Sequence, residues 1–410
     1  MDLSKEQQTA LKAVNDWILD KTTDKQVFRL FGYAGTGKTT IAKHVVADND
    51  IPHVFCSFTG KAAHVMRSKG CYGACTIHSL IYTYSPKGES TVKQLYEMLD
   101  NLLRLKQDEE VIKKISEINQ RIKIEEKNLK RNNFKLNQQS ELISSDIAIV
   151  DECSMVDEQI GTDLLSFGKK VLVLGDPAQL PPVMGGGFFT EKDPDIMLKE
   201  IHRQAENNPI LRLATHVRKG GQIDERFNNI SDQLVVRNSK DKEAFLKAVQ
   251  STDQLLVGRN ATRKSCNHRI RQLKGFTSPL PEKGDRLVCL RNNSETNVLN
   301  GSIWTVLEVG SVSDEKIKLT LVSEDSEQTI AVRAHCHHFL GTEENLKYFE
   351  RRDAEEFTYG YALTVHKSQG SQWKNVVLYD EGSAFRYAAN RWRYTGITRA
   401  SESLTVFGDY

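Results

Sequence analysis

Gly32-Tyr33-Ala34-Gly35-Thr36-Gly37-Lys38-Thr39 fits G-x-x-x-x-G-K-[ST], the phosphate-binding P-loop. The run before it, Val27-Phe28-Arg29-Leu30-Phe31, predicts a strand. The run after it, Thr40-Ile41-Ala42-Lys43-His44-Val45-Val46, predicts a helix start. The loop thus falls between a strand end and a helix N-terminus. Glycines there let backbone N–H groups curl around a phosphate, and the helix dipole adds positive potential. The nucleotide-binding residues expected from this stretch are Gly32, Ala34, Gly35, Thr36, Gly37, Lys38, Thr39 and Thr40. Lys38 has the reach for the β- and γ-phosphates, and the Thr39 hydroxyl suits Mg²⁺.

The 410 residues leave room for two or three domains, and the formal charge is only +2. A nucleic-acid site would therefore be a local cleft, not a globally basic surface. The seven cysteines, at 56, 71, 75, 153, 266, 289 and 336, are odd in number and unpatterned, which suggests reduced thiols in a cytoplasm-like compartment. No apolar run approaches the ~20 residues that cross a membrane. Met1-Asp2-Leu3-Ser4-Lys5 does not read as a targeting segment.

Ser4 to Asp20 predicts an amphipathic helix capped by Ser4, with Leu11, Val14, Trp17 and Ile18 as its apolar stripe. Gln7, on that helix, carries an amide that can both donate to and accept from an adenine edge. His53 to Phe58 predicts a second strand, running into Thr59-Gly60-Lys61-Ala62-Ala63, a loop feeding a helix and suited to a backbone phosphate. Thr76-Ile77-His78-Ser79-Leu80 mixes polar and apolar groups, and His78 taken alone reads as a core histidine. From Thr83 to Glu141 charge is dense and glycine vanishes after Gly88. Leu95, Leu99, Leu102 and Leu105 form one stripe and Ile115, Ile118 and Ile122 another, which predicts two helices joined near Gln107-Asp108-Glu109. Lys127, Lys130, Arg131 and Lys135 form a basic run at the far end.

Ile147-Ala148-Ile149-Val150 is a buried parallel strand ending in Asp151 and Glu152. Carboxylates there lie in the ligand crevice of an open α/β sheet. Asp151 is placed for Mg²⁺, and Glu152 to orient or deprotonate a water attacking the γ-phosphate. Lys170 to Asp176 is another such strand. Gln179 follows as a γ-phosphate sensor, and Arg203 as a cation for transition-state charge.

Leu255 to Asn260 opens a second α/β domain, with Arg263, Asn267, Arg269 and Arg271 on the following helix. Short alternating runs in Asp285 to Val306 and Lys316 to Val332, with turns at Asn292-Asn293, Asn300-Gly301 and Ser313-Asp314, predict a small inserted barrel. The α/β pattern returns at Thr358-Tyr359-Gly360-Tyr361-Ala362. Thr364-Val365-His366-Lys367-Ser368-Gln369-Gly370 and Tyr394-Thr395-Gly396-Ile397-Thr398-Arg399-Ala400 follow. Cys71, Cys75 and His78, and the run His335-Cys336-His337-His338, have a metal-like look but lack structural-zinc spacing.

These blocks, in this order over nearly the whole chain, resemble the superfamily 1 DNA helicases, and within them the RecD/Dda-like B branch. Gln7 matches the adenine-reading motif. Thr59 to Ala63 and Thr76 to Ser79 match DNA-contacting motifs. Asp151-Glu152 matches motif II, Gly175 to Leu180 motif III, Arg203 motif IV, Thr364 to Gly370 motif V and Thr395 to Arg399 motif VI. The resemblance implies two RecA-like domains with ATP and Mg²⁺ at their interface and single-stranded DNA across their tops. The first domain would take residues 1–82 and 141–199, with a helical insertion at 83–140. The second would take 200–276 and 352–410, with an SH3-like barrel at 277–351. It further implies DNA contacts from Thr59, Gly60, Lys61, Thr76, His78, Thr364, His366, Lys367 and Ser368, nucleotide contact from Gly370, and an arginine finger at Arg399. Implied partners are single-stranded and forked or duplex DNA, together with single-strand-binding or replication and recombination proteins. No membrane is implied, and the chain is expected to be a monomer. Movement 5′→3′ is implied because Gln179-Leu180-Pro181-Pro182 lacks the aromatic usual in the A branch. The insertion is a departure, since related phage enzymes carry a short β-hairpin there. A translocase that remodels protein–DNA complexes, an RNA helicase and a plain P-loop switch are the alternatives.

Overall fold

The computed structural model describes residues 3–84, 89–106, 108–132, 134–181, 187–200, 208–224, 226–227, 233–293, 296, 298–326, 328–346 and 350–410. The first unit is built on a parallel sheet. Its strands are β1 (Val27–Gly32), β2 (His53–Ser57), β3 (Cys75–Thr76), β6 (Ile147–Asp151), β7 (Lys170–Gly175) and β8 (Ile196–Leu198), in the spatial order β3-β2-β6-β7-β1-β8. β6 and β7 are apolar at consecutive positions because both of their faces are covered. One face packs Leu30, Ile41, Ile149 and Leu172 together, and the other packs Phe31, Ile77, Val150 and Val173.

The helix Lys5–Leu19 starts at a capping box, in which the Ser4 side chain accepts from Gln7 N and the Gln7 side chain accepts from Ser4 N. Its buried stripe runs through Gln7, Ala10, Val14 and Trp17, so Leu11 and Ile18 flank the contact and do not form its centre.

The insertion is two helices, Glu89–Leu103 and Glu109–Asn132, packed on each other through Leu95, Leu99 and Ile122, with Tyr96, Ile115 and Ile118 at the margin. Leu105 is exposed because the first helix ends before it. At the base, β4 (Tyr82–Tyr84) and β5 (Phe134–Leu136) form an antiparallel ribbon, Tyr82 opposite Leu136, that helical periodicity does not announce. Lys135 lies on that ribbon, and the side chains of Lys127, Lys130 and Arg131 fall outside the described residues.

The second unit has β9 (Leu234–Asn238) and β10 (Gln254–Val257), then an antiparallel sheet, then a return. The antiparallel strands are β11 (Arg286–Cys289), β12 (Ile303–Ser313), β13 (Lys316–Ser323), β14 (Thr329–His335) and β15 (Phe357–Tyr359), in the order β14-β13-β12-β11-β15. The return adds β16 (Ala362–Thr364), β17 (Trp373–Tyr379) and β18 (Ala400–Gly408), completing a parallel sheet ordered β16-β10-β17-β18-β9.

One expectation changes here. The segment Thr358-Tyr359, expected with the returning parallel sheet, pairs with β11 in the inserted sheet. The crossing falls at Gly360, where a Cβ would sit 3.0 Å from the Leu287 carbonyl carbon and 3.1 Å from Val288 N, so two backbones touch where a side chain has no room. The inserted strands pair in one antiparallel sheet, and the outer strand β14 hydrogen-bonds Glu355, two residues before the other outer strand β15. Among the described residues a single bridge, Ala334 to Glu355, joins β14 to the segment before β15.

The helix Asn260–Leu273 buries Arg263, Asn267 and Arg271 and leaves Arg269 exposed. Arg271 and Asp285 pair at 2.8 Å, both almost fully buried, and tie this helix to the start of β11.

Candidate functional site

The P-loop leaves β1 and enters the helix Lys38–Asn49. Gly35 and Gly37 have φ of 81° and 82°, a conformation that L side chains rarely adopt. Gly37 caps the helix without a side-chain hydrogen bond, which leaves its first-turn amides to a ligand. Lys38 Nζ donates to Gly32 O at 2.6 Å and Tyr33 O at 3.1 Å, holding the ammonium at the loop's mouth. Thr36 is buried, and its hydroxyl donates to Tyr33 O at 2.9 Å. Gln7 is buried with its amide donating to Thr36 O at 3.0 Å while its carbonyl serves the capping box. Its amide therefore braces the loop from behind.

Thr39 Oγ1 and Asp151 Oδ2 lie 3.2 Å apart, a hydroxyl and a carboxylate oxygen of the kind that Mg²⁺ takes, so the donor set fits that ion. Glu152 follows at φ 54°, ψ 42°, a left-handed conformation unusual outside glycine, with its N–H donating to Asp151 Oδ1 at 2.8 Å. Burial pushes the Glu152 carboxyl above its usual range. Arg399 opposes that rise, Asp151 adds to it, Lys38 opposes and Asp176 adds. Gln179 is buried, and among the described residues its Oε1 has no hydrogen-bond partner, which leaves an orphaned acceptor.

Arg399 comes from the other unit. It is buried, and its guanidinium donates to Thr395 O, Ser371 O and Thr398 Oγ1 at 3.0 to 3.1 Å, so local acceptors fix its position. Arg203 lies outside the described residues. Sequence reasoning did not find the other groups that cross this interface. The Tyr394 hydroxyl accepts from Ala34 N at 3.0 Å and donates to Asp176 Oδ2 at 2.6 Å. The Arg218 guanidinium lies 3.4 Å over the Tyr33 ring, Leu180 N donates to Thr395 Oγ1, and Gln369 Nε2 donates to Leu180 O. Tyr394 stood at the edge of a recognised block, whereas nothing near Arg218 in the sequence marks it.

The expected DNA contacts form a second group. Thr59 caps the helix Gly60–Ser68, its hydroxyl accepting from Ala62 N at 3.1 Å. Thr76 caps Ile77–Ile81, and Thr364 caps the 3₁₀ turn Val365–Ser368. Gly370 abuts Thr59 and Ala62, where a Cβ would come within 2.7 Å of the Ala62 Cβ. Its near neighbours are thus in this group, although the sequence grouped it with the nucleotide. Gly60 faces Leu299 and Asn292, in the connection between β11 and β12, in the same way. Lys61 is 8% exposed and paired with Asp325 in the turn between β13 and β14, so its charge is already matched here.

His78 is half-buried between Phe58 and Tyr82, and burial holds its pKa below the usual value. His366, beside the Phe385 ring, is lowered by burial too. Ser368 is fully buried and its hydroxyl donates to Val365 O, whereas Lys367 is exposed. Among the described residues no three His, Cys, Asp or Glu side chains gather as a metal site, and no helix is long and apolar enough to cross a membrane.

The chain matches the AAA domain family over residues 2–241 and the UvrD-like helicase C-terminal domain over residues 359–407. It is similar to the ATP-dependent RecD2 DNA helicase of Deinococcus radiodurans, with 25% identity over 95% of this chain and 48% of that protein. It is also similar to the RecBCD enzyme subunit RecD of Haemophilus influenzae, with 22% identity over 64% of this chain and 51% of that one. The chain spans about half the length of the curated relatives it matches. Among solved structures, Bacteroides Pif1 bound to single-stranded DNA superposes with a TM-score of 0.55 at 18% identity, over 100% of this chain and 92% of that one. A Pif1 structure concerned with unwinding at forked duplex DNA gives 0.58, again at 18% identity and with the same coverage of both chains. At that identity the likeness is one of fold: two parallel-sheet domains flanked by helices.

Proposed function

We propose that this chain, a member of the AAA-domain family, is a superfamily 1 B-branch helicase of the RecD/Pif1 kind that hydrolyses ATP to move along single-stranded DNA and part a duplex. One observation carries this reading. The Thr39–Asp151 oxygen pair and the Glu152 carboxyl come from one parallel sheet, and the Arg399 guanidinium that acts on Glu152 comes from the other. A site split between two units can couple a chemical step to their relative movement.

In this reading Lys38 and the first-turn amides of its helix hold the β- and γ-phosphates. Thr39 and Asp151 hold Mg²⁺, which when bound supplies positive charge at those phosphates. Glu152 accepts a proton from the water that attacks the γ-phosphorus, as the bond to the β–γ bridging oxygen breaks and ADP leaves. Gln179 offers its orphaned Oε1 to that water or to its neighbours. Arg399, with Arg203, meets the negative charge that develops in the transition state. The helix and turn starts at Thr59, Thr76 and Thr364 suit the phosphates of a single strand, with His78, His366 and Lys367 alongside. The relatives whose names and structures concern DNA support DNA over RNA as the track. The absence of an aromatic after Gln179 supports 5′→3′ movement. Single-strand-binding and replication or recombination proteins are the partners such a motor would meet.

The test is unwinding of forked duplexes with ATP and Mg²⁺. The proposal expects strand separation with a 5′ single-stranded tail and little with a 3′ tail alone. Unwinding only from 3′ tails reverses the polarity. ATPase stimulated by DNA with no strand separation on any fork makes the chain a translocase, and stimulation by single-stranded RNA but not DNA moves it to the RNA class.

A further inference from the structure

Two loops of the first unit converge on one hydroxyl of the second. Tyr394 lies in the helix Ala389–Ile397 and is 2% exposed. Its phenol oxygen accepts from the P-loop amide Ala34 N at 3.0 Å and donates to Asp176 Oδ2 at 2.6 Å. A phenol can do both at once, and phenylalanine can do neither. The neighbouring contacts point the same way. Asp176 Oδ1 accepts from Ala178 N, Leu180 N donates to Thr395 Oγ1, and Arg218 covers the Tyr33 ring. Ala34 and Ala178 also pack against the apolar cluster of the second unit, which includes Tyr394.

From this geometry we infer that Tyr394 is a positioning residue through which the second unit sets the P-loop and the Asp176–Leu180 loop together. Docking of the two units aligns the phosphate cradle with the Gln179 loop, and undocking releases both. The inference rests on the function proposed above. It adds that alignment comes from a hydroxyl which itself touches neither the reacting phosphate nor the attacking water.

The experiment compares wild type with Tyr394→Phe in the full chain. The variant keeps the ring and its packing, so the melting temperature is expected to stay within a few degrees. Hydrogen exchange, read by mass spectrometry on peptides covering residues 32–37, is expected to quicken several-fold in the variant while peptides of the helical arm stay unchanged. DNA-stimulated kcat is expected to fall about 10-fold or more with the KM for ATP within about two-fold, since alignment is lost and ground-state binding is not. Adding Tyr394→Phe to Asp176→Asn is expected to cost little beyond the worse single change, because the two share one contact.

Unchanged exchange at residues 32–37, or unchanged kcat in an active protein, overturns the inference, as do fully additive losses in the double variant. A wild type without nucleotide hydrolysis overturns the functional reading instead, and the exchange rates then decide the anchor by themselves.

Discussion

Glu152 sits one residue past a buried strand in a left-handed backbone conformation, which costs a non-glycine residue on the order of 1 kcal/mol. The fold bears that cost where a carboxyl is needed at the cleft. Its native pKa lies above the ordinary 4.5 because burial disfavours the charge. The folded state therefore binds the proton more tightly than the unfolded chain. The stabilisation this gives is full below 4.5 and is lost as pH rises through the raised native value. Activity should run the other way, since a base must be ionised. We expect kcat to show an acid limb above the ordinary carboxylate range, and Glu152→Gln to lack hydrolysis while still binding ATP and DNA. Wild-type turnover in that variant would assign the base elsewhere. Lys38→Ala should abolish hydrolysis and leave DNA binding largely intact, because the residues proposed for DNA lie on other loops; near-normal turnover would remove the P-loop from the chemistry.

Among the elements, the helical arm and the inserted sheet stand on different footings. The arm has its own small core of Leu95, Leu99 and Ile122, distinct from both clusters of the first unit. It meets that unit through the β4–β5 ribbon. Replacing residues 89–132 with a short Gly/Ser linker, ribbon kept, should leave DNA-stimulated ATPase within about a few-fold while fork unwinding collapses. Full unwinding would make the arm a docking or decorative element, and loss of ATPase in a folded variant would mean it is part of the motor.

The inserted sheet is different, because it shares a core with the second parallel sheet: Trp304 and Leu319 pack in one cluster with Leu255 and Val377. The buried Arg271–Asp285 pair, with Tyr361 Oη donating to Asp285 Oδ1 at 3.0 Å, sits at that junction. Arg271→Ala strands a buried carboxylate and should cost about 3–5 kcal/mol, read as a fall in the denaturation midpoint.

At the scale of the whole molecule, contacts between the two units gather, among the described residues, at two places. One meeting is the Tyr394–Ala34–Asp176 contact at the nucleotide side. The other is at the loop proposed above for DNA, where Gly370, Leu299, Asn292 and Asp325 cover residues 59 to 62. Lys61 cannot give its full charge to a phosphate while Asp325 holds it. Asp325→Asn should therefore tighten single-stranded DNA binding by ~3-fold or more at low ionic strength, with the gain shrinking as salt rises. Fluorescence anisotropy of a labelled oligonucleotide reads this directly, and weaker or unchanged binding would mean the pair is structural.

The amino-acid sequence by itself determined whatever is written in a local pattern. The P-loop's glycines permit the positive φ found at Gly35 and Gly37, and continuous apolar runs made β6 and β7 central. Helical spacing built the arm, and the order of the blocks identified the family. Leu105 and the stripe of the first helix show the limit of that reading, since periodicity names a face but not what covers it. Only the tertiary structure decided which residues cross between units. Nothing local sends Tyr394 to Ala34, Asp325 to Lys61, or Arg218 to Tyr33, and nothing in an alternating strand says that Phe357–Tyr359 joins β11 and leaves the parallel sheet to begin at Ala362. The physical reason is that backbone conformation answers to neighbours a few residues away. Pairing across hundreds of residues is set by how whole packed surfaces fit, and that fit is a sum over both cores.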